Sequence, residues 1–242
     1  MYMQLQPARF DIWKMFDRIA PRYDLLNRIL SLGLDDGWRS KVAKYLPQQK
    51  KLNVLDLATG TGDLLLELFS SSGNIVSAVG LDMSAKMLAI AEKKIAMQNL
   101  QNAVSLVRAD AAEIPFTDGS FDAVTIAFGI RNVTDINIAL RQICQVLKPG
   151  GRAIILEFSL PANMVMRKLF LLYLRTFVPA VGAIISGDYK AYRYLNKTVE
   201  TFLNRKELCQ AMLNAGFINV NVVSMTFGVA CIYYGDKPAS GL

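Results

Sequence analysis

Eleven residues, Asn53–Asp63 (NVLDLATGTGD), hold the densest chemical signal in the chain. An apolar run carrying Asp56 ends in Gly60-Thr61-Gly62. Glycines there let the backbone approach a ligand closely, as where an open α/β sheet passes from strand to helix. Asp63 is expected to cap the helix that follows. A dinucleotide fingerprint would want a third glycine at 65, where this chain has Leu65. Two further carboxylates end later apolar runs, Asp82 in GLD and Asp110 in LVRAD. Asp82, about 20 residues past the glycines, suits the two hydroxyls of a ribose. Asp110 can receive the amino group of an adenine while the Ala111 amide faces the ring. Strand-end aspartates also cap helices and loops. Three acid-bearing strand ends in one βαβαβ unit point instead to a nucleoside ligand.

Those acids need a frame to hold them. Strands are predicted at Asn53–Leu57, Ile75–Leu81, Ala103–Val107, Ala123–Ala127 and Arg152–Phe158, with helices at Asp63–Ser70, Ala85–Met97 and Ile136–Leu147. Near-continuous apolar strands separated by helices indicate a parallel sheet covered on both faces. After a helix-rich 160–215, Ile218–Ser224 and Gly228–Tyr234 should pair as an antiparallel hairpin at one edge. Residues 1–50 read as helices in front of the sheet, with Ser40–Leu46 leading to Pro47. The expected fold class is α/β: a doubly wound, Rossmann-like, seven-stranded, mostly parallel sheet with an antiparallel C-terminal hairpin and helical lid elements. Residues 1–242 form a single domain, with a helical lid at 1–50, a ligand-binding core at 51–159, a helical substrate- or membrane-facing insertion at 160–215 and the hairpin at 216–242.

Composition narrows the chemistry. The 242 residues are 52% hydrophobic and 19% charged, enough for one sizeable core and incompatible with disorder. Histidine is absent, which excludes Ser-His-Asp hydrolysis, Cys-His proteases and His-ligated zinc or iron. No cluster with metal-ligand spacing exists, so no metal is expected. Cys144, Cys209 and Cys231 stand far apart, so a reducing cytoplasm fits better than a disulfide framework. The net charge of +7 is unevenly placed: residues 1–50 carry +4, 51–159 carry −2 and 160–210 carry +5. Basic flanks of this kind suit nucleic acid, an anionic membrane or a phosphorylated substrate. Met1–Phe10 lacks the apolar run of a signal peptide. Met164–Ser186 is the greasiest stretch; Arg167, Lys168 and Arg175 interrupt it and Pro179 is expected to break it, so it should lie on a bilayer or line an apolar pocket rather than span.

The spacing acidic-x-small-x-Gly-x-Gly, from Asp56 through Ala58, Gly60 and Gly62, resembles the first motif of class I S-adenosylmethionine (SAM) methyltransferases, with Ala58 in place of the usual glycine. A cationic sulfonium donor without pyrophosphate suits an acidic turn. A narrower resemblance covers about Phe16 to Lys237: Tyr23–Asn27 (YDLLN) with Ser31 and Trp38, Leu55–Asp63, Ile114–Phe116, Ser120–Asp122, Phe128–Asp135 (FGIRNVTD), Lys148–Gly151, Leu156–Ser159 (LEFS), Tyr192–Leu195 (YRYL) and Ala215–Phe217. These blocks are similar to the ubiquinone/menaquinone biosynthesis C-methyltransferases, the UbiE/MenG family. Asp35 stands where that family usually has histidine, Gln145 replaces a common arginine, Ala127 a common serine, and Asn196-Lys197-Thr198 an acidic-serine pair.

The resemblance implies SAM as cofactor, with Thr61, Asp82, Asp110 and Ala111 at its binding positions, and a lipid quinol as methyl acceptor, demethylmenaquinol or a benzoquinol analogue. Carbon attacks a sulfonium methyl only when the ring is electron-rich, so a quinol hydroxyl must lose its proton and its oxyanion must be held. Arg131, just after the fourth predicted strand, lies where such sheets bind ligands. It is expected to order a water or hold the quinolate, with Asn132 as a second donor and Tyr23 or Asp24 as weaker candidates in the lid or proton path. An apolar groove along Met164–Ser186 would take the isoprenoid tail, and Arg167, Lys168, Arg175, Lys190 and Arg193 would face anionic lipid. Other small acceptors form the alternative reading. Nucleic acid is disfavoured, because no Asn/Asp-Pro-Pro-aromatic box follows the fourth strand. A homo-oligomer is compatible with the composition.

Overall fold

The structure, a computed structural model, describes residues 12–239, without the side chains of Ser186 and Lys190. The signal-peptide reading of Met1–Phe10 and the role given to Lys190 lie outside what is described.

Seven strands form one sheet in the order β3-β2-β1-β4-β5-β7-β6. They are β1 (Leu52–Leu57), β2 (Ile75–Asp82), β3 (Val104–Arg108), β4 (Phe121–Ala127), β5 (Leu147–Phe158), β6 (Ile218–Met225) and β7 (Ala230–Asp236). The first five run parallel; β7 is antiparallel to both β5 and β6 and lies between them. The expected edge hairpin is therefore present, joined to the sheet through its second strand. That strand begins two residues later than expected, because Thr226–Gly228 forms the turn.

Both faces of the central strands are buried, which is why their sequences read as unbroken apolar runs. Side chains alternate between faces. Leu55, Leu57, Val124, Ile126 and Ile155 pack under α6 (Ile136–Val146) and α9 (Arg205–Asn214). Val54, Ala123, Ile154 and Leu156 pack under α3 (Leu34–Val42), α4 (Asp63–Ser71) and α5 (Ala85–Met97). The ordering places the switch point between β1 and β4, where chain connections diverge to opposite sides.

A third cluster stands apart from the sheet. Met15 and Ile19 of α1 (Ile12–Ile19) and Leu26 of α2 (Tyr23–Leu30) meet Leu174 and Val178 of α7 (Met164–Ser186) and Tyr192 and Val199 of α8 (Tyr189–Thr201). The two sequence flanks thus pack on each other over the strand ends. Two local expectations need correction. The helix expected at Ser40–Leu46 runs earlier, over Leu34–Val42, and tightens to a 3₁₀ turn at Ala43–Tyr45. Pro179 does not break α7, which continues through it for 23 residues. Proline forfeits one backbone hydrogen bond, and burial of Val178 and Pro179 against neighbouring elements holds the helix together across that gap. Among the described residues, Met164–Ile185 is the one segment long and apolar enough by length and composition to cross a membrane, which the sequence reading did not expect. Its Leu174 and Val178 side is packed in the third cluster.

Candidate active site

Two cavities meet over the carboxyl ends of the parallel strands. One, the donor crevice, is lined by Gly60 after β1, Asp82 at the end of β2, Asp110 and Ala111 after β3, and Phe128–Gly129 with Asn132 and Val133 after β4. The other, of about 330 Å³, is walled mainly by apolar side chains of α1, α2, α7 and α8, with Arg131 and Asn132 at its inner end. Phe16, Tyr23, Phe128 and Asn132 line both.

The β1 turn is shaped by backbone that ordinary residues avoid. Gly60 and Gly62 have φ of 58° and 83°, and Ala58 is held at 48°. A Cβ on Gly62 would stand 3.2 Å from the Ala91 Cβ of α5. On Gly60 it would point into open space, with Ala58 O the nearest atom at 4.0 Å. Asp63 does not cap α4: left-handed Gly62 occupies the cap position, and the Asp63 carboxylate instead accepts from Lys94 Nζ at 2.5 Å.

Asp82 is fixed by two backbone amides, Gly60 N–H donating to Oδ2 at 2.9 Å and Ser84 N–H to Oδ1 at 2.8 Å. Burial raises its pKa against these bonds. Ser84, not Asp82, caps α5 by accepting from Met87 N–H. Asp110 Oδ1 accepts from Ala112 N–H at 2.8 Å, which turns its loop under the crevice.

Three residues expected to bind the donor do not line either cavity. Asp56 is 1% exposed and lines neither cavity; its Oδ1 accepts from Thr125 Oγ at 2.6 Å, its Oδ2 has no partner, and burial pushes its pKa up to about 7. Thr61 and Gly62 also line neither. The Thr61 hydroxyl donates to Asp24 Oδ1 at 2.6 Å, and Lys94 Nζ lies 2.6 Å from Asp24 Oδ2. Asp24 lines neither cavity. It ties α2 to the glycine turn and to α5, a contact that belongs to the lid.

Arg131 is where the sequence placed it, yet differently held. A 3₁₀ turn at Ile130–Asn132 folds it back over the end of β5, 7% exposed. Its Nη1 donates to Glu157 Oε1 and to Phe128 O, each at 2.6 Å, while Nε is buried without a partner. Its guanidinium carbon stands 5.5 Å from the centre of the Phe158 ring. Glu157, fully buried, was missed by the sequence reading; burial raises its pKa and the Arg131 charge opposes that. Its signal was present, as the lone acid in the apolar strand RAIILEF. Asn132 Oδ1 accepts from the Tyr194 hydroxyl at 3.2 Å, joining the β4 loop to α8. Burial raises the Tyr23 phenol, opposed by a bond to Asn27 and by the positive charges of Arg131 and Arg39.

A second buried pair in the acceptor cavity also escaped notice. Arg39 Nη1 donates to Asp35 Oδ2 at 2.6 Å, and Ser31 Oγ donates to Asp35 Oδ1 at 2.6 Å. Burial alone would raise the Asp35 pKa; these two bonds outweigh it and hold it below the usual carboxylate range. Among the described residues no group of three or more His, Cys, Asp or Glu could hold a metal.

The sheet order with its antiparallel β7, and the acid-lined crevice at the switch point, are those of the class I SAM-dependent methyltransferase fold. Residues 3–237 match the ubiE/COQ5 methyltransferase family, and the chain belongs to it. It is 45% identical over 224 residues to the demethylmenaquinone methyltransferase of Thermus thermophilus, covering 93% of this chain and 100% of that one. It is 40% identical over 226 residues to the ubiquinone/menaquinone biosynthesis C-methyltransferase UbiE of Geotalea daltonii, covering 93% and 96%. Among solved structures, the [4+2]-cyclase SpnF superposes with a TM-score of 0.72 at 18% identity, covering 97% of this chain and 98% of that one. A Haemonchus contortus phosphoethanolamine N-methyltransferase 2 bound to S-adenosyl-L-methionine superposes at 0.61 and 17% identity, covering 84% and 52%. A cyclase and an N-methyltransferase on one fold show that the fold alone does not set the reaction.

Proposed function

We propose that this enzyme C-methylates a polyprenylated quinol, converting demethylmenaquinol to menaquinol or the corresponding benzoquinol, at the cytoplasmic face of the membrane. SAM supplies the electrophilic methyl group. The donor crevice fits it on its own residues: Gly60 leaves the space a side chain would fill, Asp82 offers its remaining lone pairs to two hydroxyls, and Asp110 offers one to an amino group. Ala111 supplies an apolar floor.

The observation that carries the acceptor reading is Arg131, a buried cation lining a mainly apolar cavity beside Asn132, which lines both cavities. A greasy tail suits the walls of α1, α2, α7 and α8, and an oxygen at the head suits the guanidinium. Arg131 stabilises the quinolate once its hydroxyl proton has left to water, concentrating negative charge on the adjacent ring carbon; with the thioether as leaving group, the hydrogen on the methylated carbon would then pass to the quinol oxygen as the aromatic ring is restored. Asn132 and Tyr23 stand where the two cavities join and orient that carbon toward the methyl group, since an in-line displacement gains most from positioning. The helices of 12–42 and 164–201 act as a lid that closes over the junction and limits its exchange with bulk solvent.

The reading is tested by incubating the enzyme with labelled SAM and either reduced naphthoquinol or reduced benzoquinol, followed by mass analysis. Ring-carbon methylation of one or both is expected. Label on an oxygen or nitrogen of some other small acceptor, with neither quinol modified, would replace it.

A further inference from the structure

We propose that the mouth of the acceptor cavity is a membrane-docking face, seated on anionic lipid by Leu32, Phe227 and the outer stripe of α7. The proposal rests on the reading that a lipid-tailed acceptor enters through this mouth.

Two bulky apolar side chains at that mouth are held in water by backbone that resists holding them. Leu32, between α2 and α3, has φ of 55° and is 71% exposed. Phe227, in the β6–β7 turn, has φ of 56° and is 81% exposed, and Thr226 beside it is at 46°. Left-handed backbone is costly for any residue with a Cβ, and exposed leucine or phenylalanine forgoes the gain of burial. Both costs fall on the same two residues, and both residues line the acceptor cavity. Leu169 of α7 is 54% exposed and lines it too.

From Leu169 the apolar surface continues along α7. Val165, Leu169 and Leu172 are exposed at helical spacing, and 22% of the apolar window of this helix is buried. Charge selects the occupant. Met164–Ser186 contains no acidic residue; exposed Lys168, which flanks the stripe, and exposed Arg167, around the same first turn, form no ion pair with any described residue, while Arg175 is taken by Glu200. Such a surface complements lipid phosphates above an apolar layer. A second copy of the chain would bring the same cations to the face with no α7 acid to meet them. Because Leu174 and Val178 on the opposite side pack with α1, α2 and α8, the helix lies along the bilayer rather than through it. An isoprenoid tail then passes from lipid into the cavity without crossing water.

The test is co-sedimentation of the full chain with phosphatidylcholine vesicles containing phosphatidylglycerol, against phosphatidylcholine alone. Wild type is expected to partition onto the anionic vesicles in a salt-sensitive way. Leu172→Asp with Val165→Asp, both exposed on the stripe and neither lining the cavity, should lower partitioning at least tenfold while leaving turnover of a short-tailed, water-soluble quinol unchanged. Phe227→Ser provides an independent variant, expected to weaken partitioning severalfold with an unchanged thermal melt. Wild type remaining in the supernatant, or variants sedimenting as wild type does, would overturn the proposal. So would a dimer in sedimentation velocity that the α7 substitutions abolish, with no vesicle binding. Docking without methylation of either quinol would count against the proposed function and support the docking face on its own.

Discussion

Arg131 and Glu157 form an ion pair of 2.6 Å in which the carboxylate is fully buried and the arginine nearly so. The pair joins the loop after β4 to the end of β5, so the residue best placed to hold the acceptor is itself held by a charge that only the sheet brings near. Taking two charges out of water is costly, and removing one partner strands the other. The pair therefore predicts different results for stability and for turnover.

Glu157→Ala leaves Arg131 buried without its counter-charge and should cost about 3–5 kcal/mol in urea unfolding. Arg131→Ala should reduce turnover by at least 100-fold while leaving affinity for S-adenosylhomocysteine within about twofold, since Arg131 lines the acceptor cavity alone. Replacing both by methionine should restore most of the stability and none of the turnover. Near-normal turnover in Arg131→Ala would remove the catalytic assignment.

Asp82→Asn should weaken S-adenosylhomocysteine binding about 10- to 100-fold, because a charged acceptor to two hydroxyls becomes a neutral one. Calorimetry measures this directly. Asp56→Asn and Thr61→Val, at residues that line neither cavity, should change donor affinity far less, and a larger loss in either would return them to the binding surface.

Ala58 carries strain that a glycine would not. With φ at 48°, Ala58→Gly should raise stability by about 0.5–1 kcal/mol. Gly129→Ala should do the reverse, because its Cβ would fall 2.6 Å from that of Ala58. The two substitutions together should couple favourably, Ala58→Gly making room for the new methyl, and a double-mutant cycle reads that coupling. Strict additivity would show that the clash is relieved elsewhere.

Asp56 sets a pH dependence of stability. Its ordinary pKa of 3.8 is pushed up to about 7 by burial, opposed by the Thr125 hydroxyl. Between those values the native protein keeps a proton that the unfolded chain releases, so stability falls as pH rises. The contribution is fully present below about pH 4 and lost as pH climbs through 7, on the order of 4 kcal/mol across the window. Asp56→Asn, which cannot ionise, should flatten this part of the unfolding free energy between pH 5 and 8. An unchanged slope would assign the carboxylate an ordinary titration.

Much of the frame is readable from one-dimensional pattern. The central strands lie within a few residues of their apolar runs, since burial on both faces leaves them no polar interruptions. The helix at Ala85–Met97 matches as expected, because Ser84 caps it from the adjoining residue. Pro179 misleads for the opposite reason: its local preference is overruled by packing that involves α1, α2 and α8.

At the site, Gly60, Asp82, Asp110, Ala111, Arg131 and Asn132 reach the cavities because each follows directly from a strand end, and strand ends are visible in the sequence. Thr61 and Asp24 do not, because they bond to each other across 37 positions. The Arg131–Glu157 pair spans 26 positions, and no local spacing announces it.

By itself, then, the sequence determined the sheet, its glycine turn and the acids at its edge, since these depend on neighbours along the chain. Tertiary structure decided which carboxylates face a ligand, which are buried as supports, and that two distant flanks close into one apolar cavity. Charges and apolar surfaces act through space, and their partners here lie tens to more than a hundred residues away.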